Sequence, residues 1–353
     1  MSDQPRRNFT SDNVTGAAPE MLAALTRANE GQAPGYGADA YSKRLTERAS
    51  EVFECELAIL PVTTGTAANA LALSLLAPPF GAVYCHETAH VMTDECGAPE
   101  FYSGGAKLLT LGGAGGKLQG ADIEASLALI ATMGVHHVQP KAITLSQATE
   151  WGTVYSLDEL DALATTARAH GLALHMDGAR FANALAHLGC SPAEATWKRG
   201  VDVLSLGATK NGALAAEAVV LFNPKLESEL AFRRKRAGHL WSKMRFASAQ
   251  LLAYFEDDLW LRHARNANAL ATRLATGLVA AGARLVAKVD ANELFVAMPA
   301  AQVAGLKAAG YEFYDWPAPR GETEPVIRLV TAYDMKPNDV DALISAATLG
   351  ATR

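Results

Sequence analysis

The chain has 353 residues, half of them hydrophobic, so it can build a large core, and its length suggests two domains. A formal net charge of −6 argues against nucleic acid as the main partner. The four cysteines, Cys55, Cys85, Cys96 and Cys190, show no C-x-x-C pair and no zinc spacing, so they read as reduced, buried thiols in a cytoplasmic protein.

Residues 1–16 form a polar arm without the apolar stretch of a signal peptide, and no apolar run is long enough to span a bilayer. Ser11, Asp12 and Asn13 are good caps for a helical segment over 17–29. Pro34-Gly35-Tyr36-Gly37 is a turn, and the helix after it carries Leu45, Ala49 and Val52 on one face. Leu57–Val62 reads as a strand. Thr63-Thr64-Gly65-Thr66 then opens an apolar helix through Leu76. Free N–H groups at such a helix start suit a phosphate, although an ordinary cap has the same spacing.

Ala82–His86 is a short strand, followed by His90. His86 and His90 lie four apart but have no clear third ligand, so no metal is expected. His90 reads either as a structural histidine or as a proton carrier. Lys107–Leu111 is a strand, 122–133 a helix, and His136-His137 precede a strand over Lys141–Gln147. Ser156 and Glu159 form a capping box for a helix that stops at Gly171.

The most informative stretch is 172–213. Leu172–Met176 and Val201–Leu206 read as buried strands joined by a helix with Phe181, Leu185 and Leu188 on one face. Such a βαβ unit makes parallel neighbours, and residues just past their C-terminal ends face the usual ligand crevice. Those residues are Asp177, Arg180 and Lys210. An amine beside a carboxylate is what pyridoxal phosphate requires. The amine condenses with the aldehyde, and the carboxylate keeps the pyridine nitrogen protonated. From spacing alone, Asp177 could equally be a helix cap and Lys210 a solvated lysine.

Ala218–Phe222 is a further strand, and Pro224 starts a helix whose run Arg233–Arg236 reads as a solvated face. Helical patterns fill Phe246–Ala281. Beyond Gly282, strands at Leu285–Val289, Glu293–Met298, Tyr311–Trp316 and Val326–Tyr333, with helices at Pro299–Ala309 and Pro337–Leu349, form a compact α+β module. Arg328 stands in the middle of an apolar strand, where a charge is costly unless paired; its guanidinium suits a carboxylate. No G-x-G-x-x-G and no Walker lysine follows the first strand, which counts against a nucleotide-binding protein.

LHMDGAR followed by GATKNG resembles the threonine aldolase branch of the fold-type I pyridoxal phosphate enzymes, and the likeness runs from about Asn8 to the last helix. It implies an α/β large domain with a mostly parallel central sheet over 1–245 and a small C-terminal α+β domain over 246–353. By this resemblance Lys210 carries the cofactor, Asp177 meets its ring nitrogen, and Gly65 and Thr66 grip its phosphate. His90 stacks on the ring near the substrate hydroxyl, and Arg180 binds the ring hydroxyl or the substrate carboxylate. Ser11 and Arg328 hold the substrate carboxylate. Tyr36 reaches a neighbouring subunit's site, and Lys243, with Arg245, touches a phosphate, often the partner's. A family histidine that assists at the β-hydroxyl matches the region of His136 and His137, either of which or neither could correspond, with His137 the choice.

The implied reaction is retro-aldol cleavage of L-3-hydroxy amino acids (threonine, allo-threonine, phenylserine) to glycine and an aldehyde. Another reaction of the same fold, β-elimination or transamination, is the rival. A homodimer or homotetramer with active sites between subunits is implied too. One departure stands out. Many relatives carry Ser-Lys-Gly or Cys-Lys-Gly around the lysine, whereas this chain has Thr209-Lys210-Asn211-Gly212. That leaves the local loop shape and the substrate range open.

Overall fold

The computed structural model describes residues 5–351. Its central sheet has seven strands: β1 (Ala58–Val62), β2 (Gly81–His86), β3 (Lys107–Leu111), β4 (Gln139–Ser146), β5 (Ala173–Gly178), β6 (Val203–Gly207) and β7 (Glu217–Leu221). They lie in the order β1-β7-β6-β5-β4-β2-β3. Strands β2 to β6 are parallel, and β7 runs antiparallel to both β6 and β1. Helices cover both faces, so β1, β2, β6 and β7 are buried throughout, as their near-continuous apolar runs require.

The helix Gly65–Leu76 is buried from Ala67 to Ser74 and packs on the sheet. The helix Ala40–Phe53 is capped by Asp39 and buries Leu45, Ala49 and Phe53. Val52, expected on that face, is only partly buried, because the inward stripe follows a four-residue step to Phe53. The capping box at Ser156 and Glu159 is formed.

A second sheet, all antiparallel, is made by β8 (Arg284–Leu285), β9 (Glu293–Ala297), β10 (Tyr314–Trp316) and β11 (Val326–Val330), in the order β10-β11-β9-β8. The strand expected at Leu285–Val289 shrinks to two residues. The chain leaves the sheet there so that the N–H groups of Asp290 and Ala291 can bond Gly152 O in the large domain. The helical stretch after Phe246 is two helices, Arg245–Phe255 and Leu259–Ala280, separated at Asp257 and Asp258, which both have positive φ. The large core extends through Trp260 to Ala264, and the small core takes over from Leu270. The change of core therefore falls inside Leu259–Ala280, about a helix and a half later than the expected boundary at 245.

The arm joins the two units. Phe9 is fully buried in the small core, its N–H bonds Glu312 O (2.8 Å), and its carbonyl accepts from Val330 N (2.9 Å). Four residues later, at Asn13, the chain reaches the large domain's cavity.

Candidate active site

A cavity of about 310 Å³ opens at the C-terminal ends of β4, β5 and β6. Strand β5 delivers Asp177 to its wall. Strand β6 ends at Gly207, and a single turn, Thr209–Asn211, brings Lys210 to the same cavity. A side chain at Gly207 would put a Cβ 2.6 Å from the carbonyl oxygen of Ala179, so only glycine lets the two strand ends pass this closely. The buried Asn211 side chain ties the turn down by donating to Tyr254 Oη (2.9 Å) and Trp260 O (2.8 Å). Gly212 closes the turn at φ 110°. The unusual Lys-Asn-Gly spacing thus inserts an anchoring residue before the glycine.

Asp177 is buried, and both of its oxygens are held. Oδ2 accepts from Asn69 Nδ2 (2.8 Å) and Oδ1 from the N–H of Ala179 (3.0 Å). This fixes the carboxylate's direction beside the amine. At the start of Gly65–Leu76, Thr64 caps the helix by accepting from Ala67 N (3.1 Å). The earlier N–H groups, of Gly65 and Thr66, have no partner within a helix. A Cβ at Gly65 would meet nothing within 4 Å, so there is room above these donors for a bulky anion. His90 Nδ1 lies 2.8 Å from Glu95 Oε1. That hydrogen bond raises the imidazole's pKa above its usual range, against the opposing effect of burial.

The sequence matches the family described as Beta-eliminating lyase over residues 8–301. It is 47% identical to a low specificity L-threonine aldolase from a Pseudomonas species, over 89% of this chain and 90% of that one. The corresponding protein of Pseudomonas aeruginosa is 46% identical over the same shares. The chain belongs to the threonine aldolase family. The solved structure of a Leishmania major threonine aldolase superimposes with a TM-score of 0.91 at 29% identity, covering 98% of this chain and all of that one.

Pyridoxal 5'-phosphate is the cofactor of this family, and the cavity's donor set fits it: an amine, a buried oriented carboxylate and an open helix start line one space. Six residues singled out in the sequence meet there: Gly65, Thr66, His90, Asp177, Arg180 and Lys210. Arg180, expected to bind the ring or the substrate, is largely committed elsewhere. It donates to both oxygens of Asp12 (2.8 and 3.1 Å), and its Nη1 lies 3.0 Å from Glu293 Oε2. Burial pushes the Asp12 carboxyl's pKa up, but the charges of Arg180 and Lys210 outweigh this and hold it below the usual value.

Arg328 lies behind this network, 3.9 Å from Glu293 Oε1, and donates to Thr10 O (2.9 Å). Its guanidinium stacks over Tyr314 and Trp316, and its Nε has no partner. Ser11 accepts from Asn13 N (3.1 Å), the cap role; its neighbour Asn13, not Ser11, lines the cavity.

His137 is a correction. It precedes the N-terminal end of β4, whereas the cavity lies at the C-terminal end, about 23 Å along the strand. It is not among the residues that line the cavity. Tyr36 and Lys243 are both exposed and lie outside the cavity. They share one surface, because Tyr36 N bonds Ser242 O (3.0 Å). The sequence reading missed Asn69, Glu95, Glu150 and Glu217. The only cue for Asn69 was a polar residue inside an apolar helix.

Proposed function

We infer that this cavity cleaves L-3-hydroxy amino acids to glycine and an aldehyde, with threonine and allo-threonine as close substrates and phenylserine within range. The chain is an aldehyde-lyase by family. The observation that carries the reading at this site is the meeting of Lys210 and an oriented, buried Asp177 in one cavity. When bound, the cofactor supplies an aldehyde for the lysine and a ring that accepts the electron pair released as the Cα–Cβ bond breaks. Asp177 would hold the ring nitrogen's proton, a charge interaction worth more in the transition state than in the ground state. Gly65 and Thr66 would bind the phosphate. His90, braced by Glu95, would lie against the ring.

Arg328 is the candidate for the substrate carboxylate, since its Nε is unpaired and its charge is only weakly met by Glu293 at 3.9 Å. Arg180 offers only the N–H groups that Asp12 and Glu293 leave free. The exposed Tyr36–Lys243 surface supports a homodimer or homotetramer in which each subunit completes its neighbour's site. No helix among the described residues is long and apolar enough to cross a membrane, and a cytoplasmic setting agrees with the free cysteines. The test is to supply threonine and the cofactor and assay for glycine and acetaldehyde. A keto acid without glycine would instead establish elimination or transamination.

A further inference from the structure

We propose that Glu150 is the group that takes the proton from the substrate's β-hydroxyl. Three carboxyl residues line the cavity: Asp177, Glu217 and Glu150. Asp177 has both oxygens bonded, to Asn69 and Ala179. Glu217 also uses both, accepting the N–H groups of Ala208 (3.0 Å) and Thr209 (3.4 Å). Glu150 uses one. Its Oε1 accepts from Ser146 Oγ (2.6 Å) and His90 N (2.8 Å), while its buried Oε2 has no partner among the described residues. A buried carboxyl oxygen left alone is expensive, and a site that keeps one is built for something the free protein lacks.

The imidazole of His90 is the obvious competitor. Its hydrogen bond to Glu95 favours the protonated form, which cannot accept a proton. Glu95 itself is engaged with His90 and Asn69 and is not among the residues lining the cavity. Burial pushes the Glu150 carboxyl up to about 7, with the charge of Asp177 adding to it and the Ser146 hydroxyl opposing it. Arg180, Cys85 and Tyr155 are the other titratable groups that feel its charge. A carboxyl poised there accepts and returns protons near neutral pH.

The step balances without a further reactant. The β-hydroxyl O–H bond breaks, and its proton forms an O–H bond on Glu150. The freed oxygen pair becomes the aldehyde's C=O bond. The Cα–Cβ bond breaks, leaving its electron pair on the α-carbon, which later takes a proton to become glycine.

The proposal rests on the retro-aldol reading, and the test separates the two. Glu150→Gln and Glu150→Asp, loaded with cofactor, are compared with the parent in visible absorbance, in threonine cleavage against pH, and in exchange of glycine's α-protons for deuterium by NMR. Glycine has no β-hydroxyl, so its exchange needs the cofactor site but not the proposed base. The expected result for Glu150→Gln is an unchanged spectrum, glycine exchange within about 3-fold of the parent and cleavage reduced about 100-fold or more. The parent's rise in kcat through pH 7 should vanish, and Glu150→Asp should recover part of the rate.

Cleavage by Glu150→Gln within about 3-fold of the parent overturns the proposal. So does loss of glycine exchange in step with cleavage, which would give Glu150 a role in holding the cofactor. If Glu150→Gln does not fold, the parent decides: threonine cleavage with no acid limb near pH 7 overturns it. A parent that exchanges glycine but never cleaves threonine overturns the retro-aldol reading itself.

Discussion

Replacing Arg180 by leucine should loosen the whole molecule, not just the cavity. The guanidinium has a side chain only 11% exposed and sits between Asp12 and Glu293, each with a side chain 1% exposed. Those three residues come from the arm, the large domain and the small domain. Removing one partner of a buried ion pair costs about 3–5 kcal/mol, because the other charge is left in a poorly solvated place. Asp12 would keep Asn292 Nδ2 (3.0 Å) and Glu293 would keep Arg328 at 3.9 Å, so the middle of that range, about 4 kcal/mol, is expected. At about 2.1 cal/mol/K per residue, a chain of this length would melt roughly 5 °C lower.

The effect should depend on pH with a definite sign. The folded pKa of Asp12 is depressed, so its contribution is present above the ordinary 3.8 and is lost as pH falls through the folded value. The gap between parent and variant should therefore be full from neutral pH down to about pH 4 and narrow only on further acidification toward about pH 2. Scanning calorimetry of the cofactor-free protein across that range measures it. Adding Asp12→Asn to Arg180→Leu should recover part of the loss, since one stranded carboxylate is gone. A shift under about 1 °C, a gap that ignores pH, or no recovery in the double variant would refute the coupling.

Lys210→Ala should abolish the borohydride-stable adduct between protein and cofactor; persistence at full yield would mean another lysine is the anchor. Asp177→Ala should lower kcat by about 10²–10³-fold and weaken cofactor binding, since the carboxylate acts where charge develops; unchanged turnover would remove its assigned role. Gly65→Ala should leave the melting temperature of the cofactor-free protein within about 1 °C, because the new methyl meets no atom within 4 Å. It should nevertheless weaken binding of the cofactor's phosphate end, as read by a spectroscopic titration.

The strands that carry Asp177 and Lys210 were legible because each is a short apolar run that ends in glycine and charge. Their parallel pairing follows from the helix between them. The partners of those residues were not legible. Asn69 faces Asp177 from a helix far away in sequence, Glu150 lies in a loop with no periodicity, and Asp12 reaches Arg180 across 168 positions. Such pairings exist only after the sheet order is fixed. His137 shows the opposite failure. The family resemblance suggested a role for a histidine in this region, but a strand has two ends and His137 lies at the one away from the cavity. The break at Asp257 and Asp258 was missed because flanking apolar positions keep helical spacing on both sides. The short β8 was missed because its apolar residues continue after the backbone has turned toward Gly152.

The placement of the arm bears on how the molecule is made. Phe9 leaves the ribosome well before its backbone partners, Glu312 and Val330, are made. At about 5–20 residues per second the arm must wait roughly 15–60 s for them to be synthesised. Until then Asp12 has no settled path to Arg180, and the cavity lacks the wall that Asn13 provides. A nascent chain stalled once Leu221 has emerged but before Val330 is made would hold the seven strands of the central sheet around an unfinished pocket.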